Sequence, residues 1–352
     1  MSKLTKALTA AAGNAGGDPL YVEDVFSTYL YTGTGSAMTI TNGVNLEDNG
    51  GIVWTKPRTS SGESHRLIDA DNSTILASDG TNAKLNGSLS VPQYYLQNNT
   101  DGFDLVGNVS VLSGTDYASW TFRKAEKFFD VVTYTGNATS GRTIAHSLGS
   151  TPGMMIVKQT GGDYNWQIYH SGFGPTKFLE FNAGATQTST AIWNDTAPTD
   201  SVFTVGNEYG VNRSGYTYVA YLFASDAGGF GDDGDENIIK CGTFTTNSAS
   251  TPADIDLGFE PQFFMYKPSN IAGNWFMADT MRGWTAQNTS GESAETYLYA
   301  NLSAAESSPN TWGSSPNATG INWRAEGLTA NDTYIYMAIR RPMKTPEAGT
   351  EV

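Results

Sequence analysis

The alternation of apolar and polar positions reads as β-strand along nearly the whole chain. In its middle, seven short runs are bounded by Gly, Asn, Pro or Thr: 129–135, 142–148, 153–159, 165–170, 177–182, 201–206 and 216–224. Such residues punctuate strands because Gly and Asn accept positive φ and Pro lacks a donor. In the last run Tyr216, Tyr218, Ala220 and Leu222 share one face, and Thr217, Val219, Tyr221 and Phe223 the other. Side chains alternate across a strand, so apolar residues on both faces predict a strand covered on both sides.

A similar series of strands comes three times. A Lys-bearing strand is followed by a Trp- or His-led strand and closed by an aromatic one. The first copy has Ile52-Val53-Trp54-Thr55-Lys56, His65-Arg66-Leu67-Ile68-Asp69 and Tyr117-Ala118-Ser119-Trp120-Thr121-Phe122. The second has Met154-Met155-Ile156-Val157-Lys158, Trp166-Gln167-Ile168-Tyr169-His170 and Tyr218-Val219-Ala220-Tyr221-Leu222-Phe223. The third has Phe263-Phe264-Met265-Tyr266-Lys267, Trp275-Phe276-Met277-Ala278-Asp279 and Tyr334-Ile335-Tyr336-Met337-Ala338-Ile339. Lys56, Lys158 and Lys267 are 102 and then 109 residues apart. Solenoid repeats run about 20 to 50 residues, so each unit here is large enough for a core of its own.

These patterns predict an all-β chain of three tandem β-sandwich, jelly-roll-like modules at 25–127, 128–225 and 237–343. The first junction, Arg123-Lys124-Ala125-Glu126-Lys127, holds no flexible residue and predicts tight coupling. Residues 226–236 are rich in Gly and Asp and read as a flexible acidic linker. Residues 344–352 read as an extended tail. Near the start, Leu4, Ala7, Leu8 and Ala11 fall on one helical face, and Gly13-Asn14-Ala15-Gly16-Gly17 would stop the helix. So short a helix or arm needs a surface to lie on, and residues 1–24 are read as a docking segment.

Composition narrows the function classes. The net charge of −15, from 20 basic and 35 acidic residues, repels nucleic acid and anionic membranes. The one cysteine, Cys241, sits in an apolar run and reads as a small buried hydrophobe; a disulfide within the chain is impossible. Nothing approaches the about 20 apolar residues of a membrane-spanning helix.

Candidate chemistry is sparse. His65 and His170 occupy neighbouring places in the repeat, but the third copy has Trp275 and Asp279 near them, so no shared histidine chemistry is expected. No carboxylate pair stands out for glycoside hydrolysis. The runs Asp69–Asn72 and Asp232–Glu236 lack a calcium-loop pattern and read as turns or linker. Trp54, Trp166 and Trp275 lie on repeated strands and read as core. Trp284, Trp312 and Trp323 lie in irregular parts of the third copy and are the candidate glycan contacts. The recurring lysines read as structural, each ammonium at a sheet rim. No catalytic residue, metal ligand or cofactor is assigned.

Two tracts carry a family likeness: Trp120 through Asn137, and His146-Ser147-Leu148-Gly149-Ser150-Thr151-Pro152-Gly153-Met154-Met155-Ile156-Val157-Lys158. They resemble repeat-containing virion proteins of marine tailed bacteriophages, including phages of cyanobacteria. The opening Tyr21–Tyr31 and the closing Ala338-Ile339-Arg340-Arg341-Pro342 look similar to the same group. The resemblance implies a non-enzymatic virion structural protein, tail- or fibre-associated, assembled in the bacterial cytoplasm. Its expected partners are other virion proteins, bound through the N-terminal segment, and further copies of itself, with a trimer as the expected homo-oligomer. A host-surface glycan is a further candidate partner. A capsid decoration or knob protein and a carbohydrate-active tail protein are the alternatives.

Overall fold

The computed structural model describes residues 18–344 apart from 70, 72–73, 85–95, 107–109, 182–183, 247–252, 286–294, 308–312 and 325–330. The chain is all-β. The first third holds β1 (Phe26–Thr32), β2 (Met38–Thr41), β3 (Gly51–Pro57), β4 (Arg66–Asp69), β5 (Thr74–Leu76), β6 (Leu96–Asn99), β7 (Gly102–Leu105) and β8 (Asp116–Arg123). The second holds β9 (Phe129–Thr135), β10 (Arg142–Ala145), β11 (Met154–Gln159), β12 (Gln167–His170), β13 (Lys177–Glu180), β14 (Gln187–Thr188), β15 (Val202–Val205) and β16 (Thr217–Phe223). The last holds β17 (Ile239–Thr245), β18 (Ala253–Asp256), β19 (Pro261–Pro268), β20 (Phe276–Asp279), β21 (Tyr297–Tyr299), β22 (Gly313–Asn317), β23 (Gly320–Arg324) and β24 (Thr333–Arg340). The helices described are single turns: α1 (Val22–Val25), α2 (Thr190–Trp193), α3 (Tyr209–Asn212) and a 3-10 turn at Thr280–Arg282.

Three principal antiparallel sheets share one plan: β1-β8-β3-β4-β5, β9-β16-β11-β12-β13-β14 and β17-β24-β19-β20-β21. In each, the opening strand pairs with the closing strand, which pairs with the Lys-bearing strand. Smaller sheets β2-β7-β6, β10-β15 and β18-β23-β22 accompany them. Cross-strand aromatic pairs mark one register position in all three: Tyr31 on Tyr117 at 5.1 Å, Tyr134 on Tyr218 at 5.1 Å and Phe244 on Tyr334 at 5.0 Å.

The two faces of a principal strand serve different cores. On β3 and β8, Trp54, Trp120 and Phe122 enter a large core common to the three sheets, while Val53 and Tyr117 pack with Ile40 and Phe103 of the small sheet. On β19 and β24, Phe263, Met265, Met337 and Ile339 enter the common core, while Phe264, Tyr266, Tyr334 and Tyr336 pack with Ile321 and Trp323. This is why apolar residues occupy both faces of the closing strands. Within the common core Phe122 lies 5.6 Å from Phe223 and 6.3 Å from Phe263, one ring from each sheet. The sheets are thus packed on one another.

The stretch 226–236 differs from the flexible linker its composition suggested. Phe230 is buried in the common core and bridges to Glu236, and Gly231 N donates to Leu20 O. Its glycines serve tight turns: Gly228, Gly229, Gly231 and Gly234 all have φ between 63° and 95°. Of the docking segment expected from the sequence, residues 1–17 lie outside the described residues, and residues 20–25 pack on this chain itself. Val22 and Val25 are in the common core, the Glu23 carboxylate accepts from Met343 N and Lys344 N, and Asp24 pairs with Lys344. Residues 345–352 of the tail lie outside the described residues.

Candidate functional site

The residue immediately before β4, β12 and β20 is His65, Trp166 and Trp275 in turn. Each reaches a main-chain carbonyl of another third. Trp166 Nε1 donates to Ala77 O at 3.2 Å and to Gly80 O at 3.0 Å. Trp275 Nε1 donates to Glu180 O at 3.2 Å. In the first third, Trp54 Nε1 donates to His65 Nδ1 at 2.8 Å, which leaves the proton on Nε2 to donate to Tyr299 O at 2.9 Å. The three acceptors are equivalent in register: each lies one residue past Leu76, Leu179 or Leu298, the partners of Leu67, Ile168 and Met277. Second to first, third to second and first to third, the contacts close a pseudo-threefold ring within one chain.

One residue further on stand Ser78, Phe181 and Ala300. Phe181 packs against a tryptophan from each third, 5.9 Å from Trp54, 5.9 Å from Trp166 and 5.2 Å from Trp275. One large and two small side chains therefore fill the axis. Beside them opens a cavity of about 230 Å³ walled by Trp166, Phe181 and Leu302, with Asp79, Thr81, Asn165, Glu180 and Asn301 supplying polar groups. Several of these are already engaged: Asp79 Oδ1 accepts from His65 N at 3.1 Å and Asn301 Oδ1 from Trp275 N at 2.8 Å.

The recurring lysines sit behind these walls. All three are fully buried, contrary to the rim position expected from the sequence. Lys56 Nζ donates to Pro57 O at 3.0 Å and across the joint to Ser303 O at 3.3 Å. Lys158 Nζ donates to Gln159 O at 2.7 Å and across the joint to Thr81 O at 3.1 Å. Lys267 Nζ donates to Gly273 O. Burial lowers each ammonium to a pKa of about 8. The stems of Lys56 and Lys158 cannot snorkel because the neighbouring third covers the strand end.

The ends of β4, β12 and β20 carry Asp69, His170 and Asp279, all buried. His170 Nδ1 accepts from Gly172 N at 3.0 Å and Nε2 faces Tyr336 O at 3.0 Å; burial lowers its pKa to about 4, so the ring is neutral. Asp279 accepts from Trp120 Nε1 at 3.0 Å and from Arg282 Nε at 2.6 Å. Arg282 continues to Glu306 at 3.3 Å, and Glu306 holds Arg58 in a two-pronged pair at 2.8 and 3.0 Å. This ionic clasp lies where the first third meets the last, the one joint of the ring without a direct chain connection.

The tryptophans expected to meet glycan are placed otherwise. Trp284 is 1% exposed, stacks on Phe264 at 5.7 Å and donates to Ser314 O at 2.9 Å. Trp323 is 4% exposed, between Phe244 and Tyr266. Neither ring has a face open to a sugar, because both complete the core between the small sheet and the principal one, Trp323 from the small sheet's own β23. Trp312 lies outside the described residues. Cys241 is buried, which pushes its thiol pKa up. Among the described residues no group of three or more His, Cys, Asp or Glu is placed to hold a metal, and no helix is long and apolar enough to cross a membrane.

Fold and axis together define an all-β protein whose three sheets close on one another. The chain belongs to the family described as Domain of unknown function (DUF7483), whose model matches residues 22–342. That span runs from α1 past β24, so the family unit takes in all three sheets. No curated protein matches the chain.

Proposed function

We propose that this chain is a non-enzymatic structural protein of a bacteriophage virion, tail- or fibre-associated, docking through its N-terminal segment and presenting its β-body to the host surface. The supporting observation is where the recurring polar chemistry goes. Lys56 and Lys158, His65, Trp166 and Trp275, and the His170 ring each make a hydrogen bond across a joint between thirds. A repeated polar set used for closure suits a rigid building block better than a repeated active site. Immunogold labelling of purified particles with antibody to the recombinant protein tests this. Gold on the tail or its fibres is expected. Gold on the capsid favours a decoration protein, and a protein abundant in lysate yet missing from particles overturns the reading.

A further inference from the structure

Lys84 and Arg213 are among the cations of this acidic chain that make no ion pair with any described residue. Lys84 stands on the Thr217 face of β16 and Arg213 on the Tyr216 face, and one strip of surface runs between them over the strand end at Gly161. The Arg213 guanidinium lies 4.3 Å from the Tyr216 ring centroid and 4.7 Å from that of Tyr209, which is 53% exposed. The stack is fixed from beneath. The Tyr218 hydroxyl accepts from Arg213 N at 2.7 Å and donates to Tyr209 O at 2.6 Å. Asn212 Nδ2 donates to Thr139 O and Gly206 O, each at 2.8 Å. A planar cation held between two rings, its fork of donors taken up by no described residue, is pre-organised for a carboxylate or sulfate.

Next to the stack runs a groove of about 300 Å³ floored by Thr133, Thr135, Thr160 and Thr217, with Lys84 on its other wall. Lys84 is seated there by its main chain, whose N–H donates to Thr160 O at 3.1 Å. Groove and stack share a rim at Gly161: a Cβ at that glycine would lie 3.2 Å from Thr217 Oγ1 and 3.8 Å from Tyr216 Cδ1. No carboxylate lines the groove among the described residues.

We propose that this strip binds an anionic saccharide, which deepens the proposed host contact and rests on it. The hydroxyls of Thr133 and Thr135 match sugar hydroxyls as donor or acceptor, while those of Thr160 and Thr217 are paired with each other at 2.7 Å and keep their remaining positions. The Tyr209 face offers an apolar platform with little conformational entropy to lose. Lys84 and Arg213 take the acidic substituents. A densely charged polyanion such as nucleic acid is opposed by the net charge of −15, whereas a saccharide with spaced charges meets only the local field.

Calorimetric titration of the full chain at low salt tests the proposal, using trigalacturonate, a sulfated trisaccharide and neutral galactotriose as probes. Binding of one or both anionic probes is expected, at least tenfold tighter than the neutral one and weakening as salt is raised. The two anionic arms tell carboxylate from sulfate. Arg213→Ala and Lys84→Ala are each expected to weaken binding tenfold or more, and Arg213→Lys less. Tyr209→Ser, at an exposed ring, is expected to weaken binding with an unchanged melting temperature. The proposal is overturned if no probe binds, if neutral and anionic probes bind alike, or if folded Arg213→Ala and Lys84→Ala bind as the parent does. Particle labelling is read separately, so a virion protein that binds no saccharide would refute this site alone.

Discussion

Phe181 lies 5.2 Å from Trp275 with its ring tilted 27° to it, and this contact joins the second sheet to the third at the point where all three meet. Its two counterparts in the repeat, Ser78 and Ala300, are small, and Ser78 Oγ donates to Ala300 O. The axis has room for one ring. Phe181→Ala should therefore open a cavity among three tryptophans and cost about 3 to 5 kcal/mol. Ser78→Phe should destabilise by about 1 to 3 kcal/mol through overpacking. Denaturant titration measures both, and a loss well under about 1 kcal/mol for Phe181→Ala would show that the axis is loosely packed.

The joint between the first and last thirds depends on Arg282. Its removal leaves Asp279 buried with, among the described residues, Trp120 Nε1 and the main-chain N–H of residue 282 as its donors. Arg282→Met should cost about 3 to 5 kcal/mol, since an uncompensated buried carboxylate is heavily penalised. Hydrogen exchange should then rise first in β1, β8 and β20, the strands at that joint. Exchange rising only in β9 to β16 would place the weak point elsewhere.

Two groups give pH dependences of opposite sign. Lys158 has its folded pKa depressed to about 8, below the usual lysine value. The unfolded chain binds that proton more tightly, so this contribution is fully present only above the unfolded pKa and is lost as pH falls through about 8. Relative to Lys158→Met, the parent should gain stability as pH rises from about 8 to about 10. Glu295 is buried beneath Tyr266, whose hydroxyl donates to it at 2.7 Å, and burial raises its pKa to about 7. Its contribution is present below the unfolded carboxyl pKa and is lost as pH rises through about 7. Relative to Glu295→Gln, the parent should lose stability between about pH 5 and about pH 8. A pH-independent difference in either pair would contradict the burial that causes the shift.

Trp284 sits in a core and closes on Phe264 and Ser314. Trp284→Ala should lower stability by about 3 to 5 kcal/mol. A variant that melts like the parent would contradict the buried placement of the ring.

Much of the fold was legible because strand periodicity and the lysine spacing are side-chain signals. The closure was not. Its acceptors are the main-chain carbonyls of Ala77, Glu180 and Tyr299, and a carbonyl accepts whatever side chain it carries. Three unlike residues thus do the same thing in the same register. The sequence admitted His65 or a tryptophan at the head of this strand without a reason for the exchange; with Trp54 behind it, the imidazole relays the indole donor to the same kind of acceptor. The Gly/Asp stretch misled because its composition suits both a flexible linker and a series of left-handed turns. Phe230, buried at its centre, decides between them. Trp284 and Trp323 misled because irregular sequence around an aromatic does not reveal that a small sheet packs there, with Trp323 on that sheet's inner face.

Differential scanning calorimetry decides whether the three sheets form one body. Closure around Phe181 requires a single transition in the intact chain, with calorimetric and van't Hoff enthalpies that agree. Two or three resolved transitions, each with the enthalpy of about a third of the chain, would mean that the sheets melt as separate domains and that the ring of contacts between them does not hold.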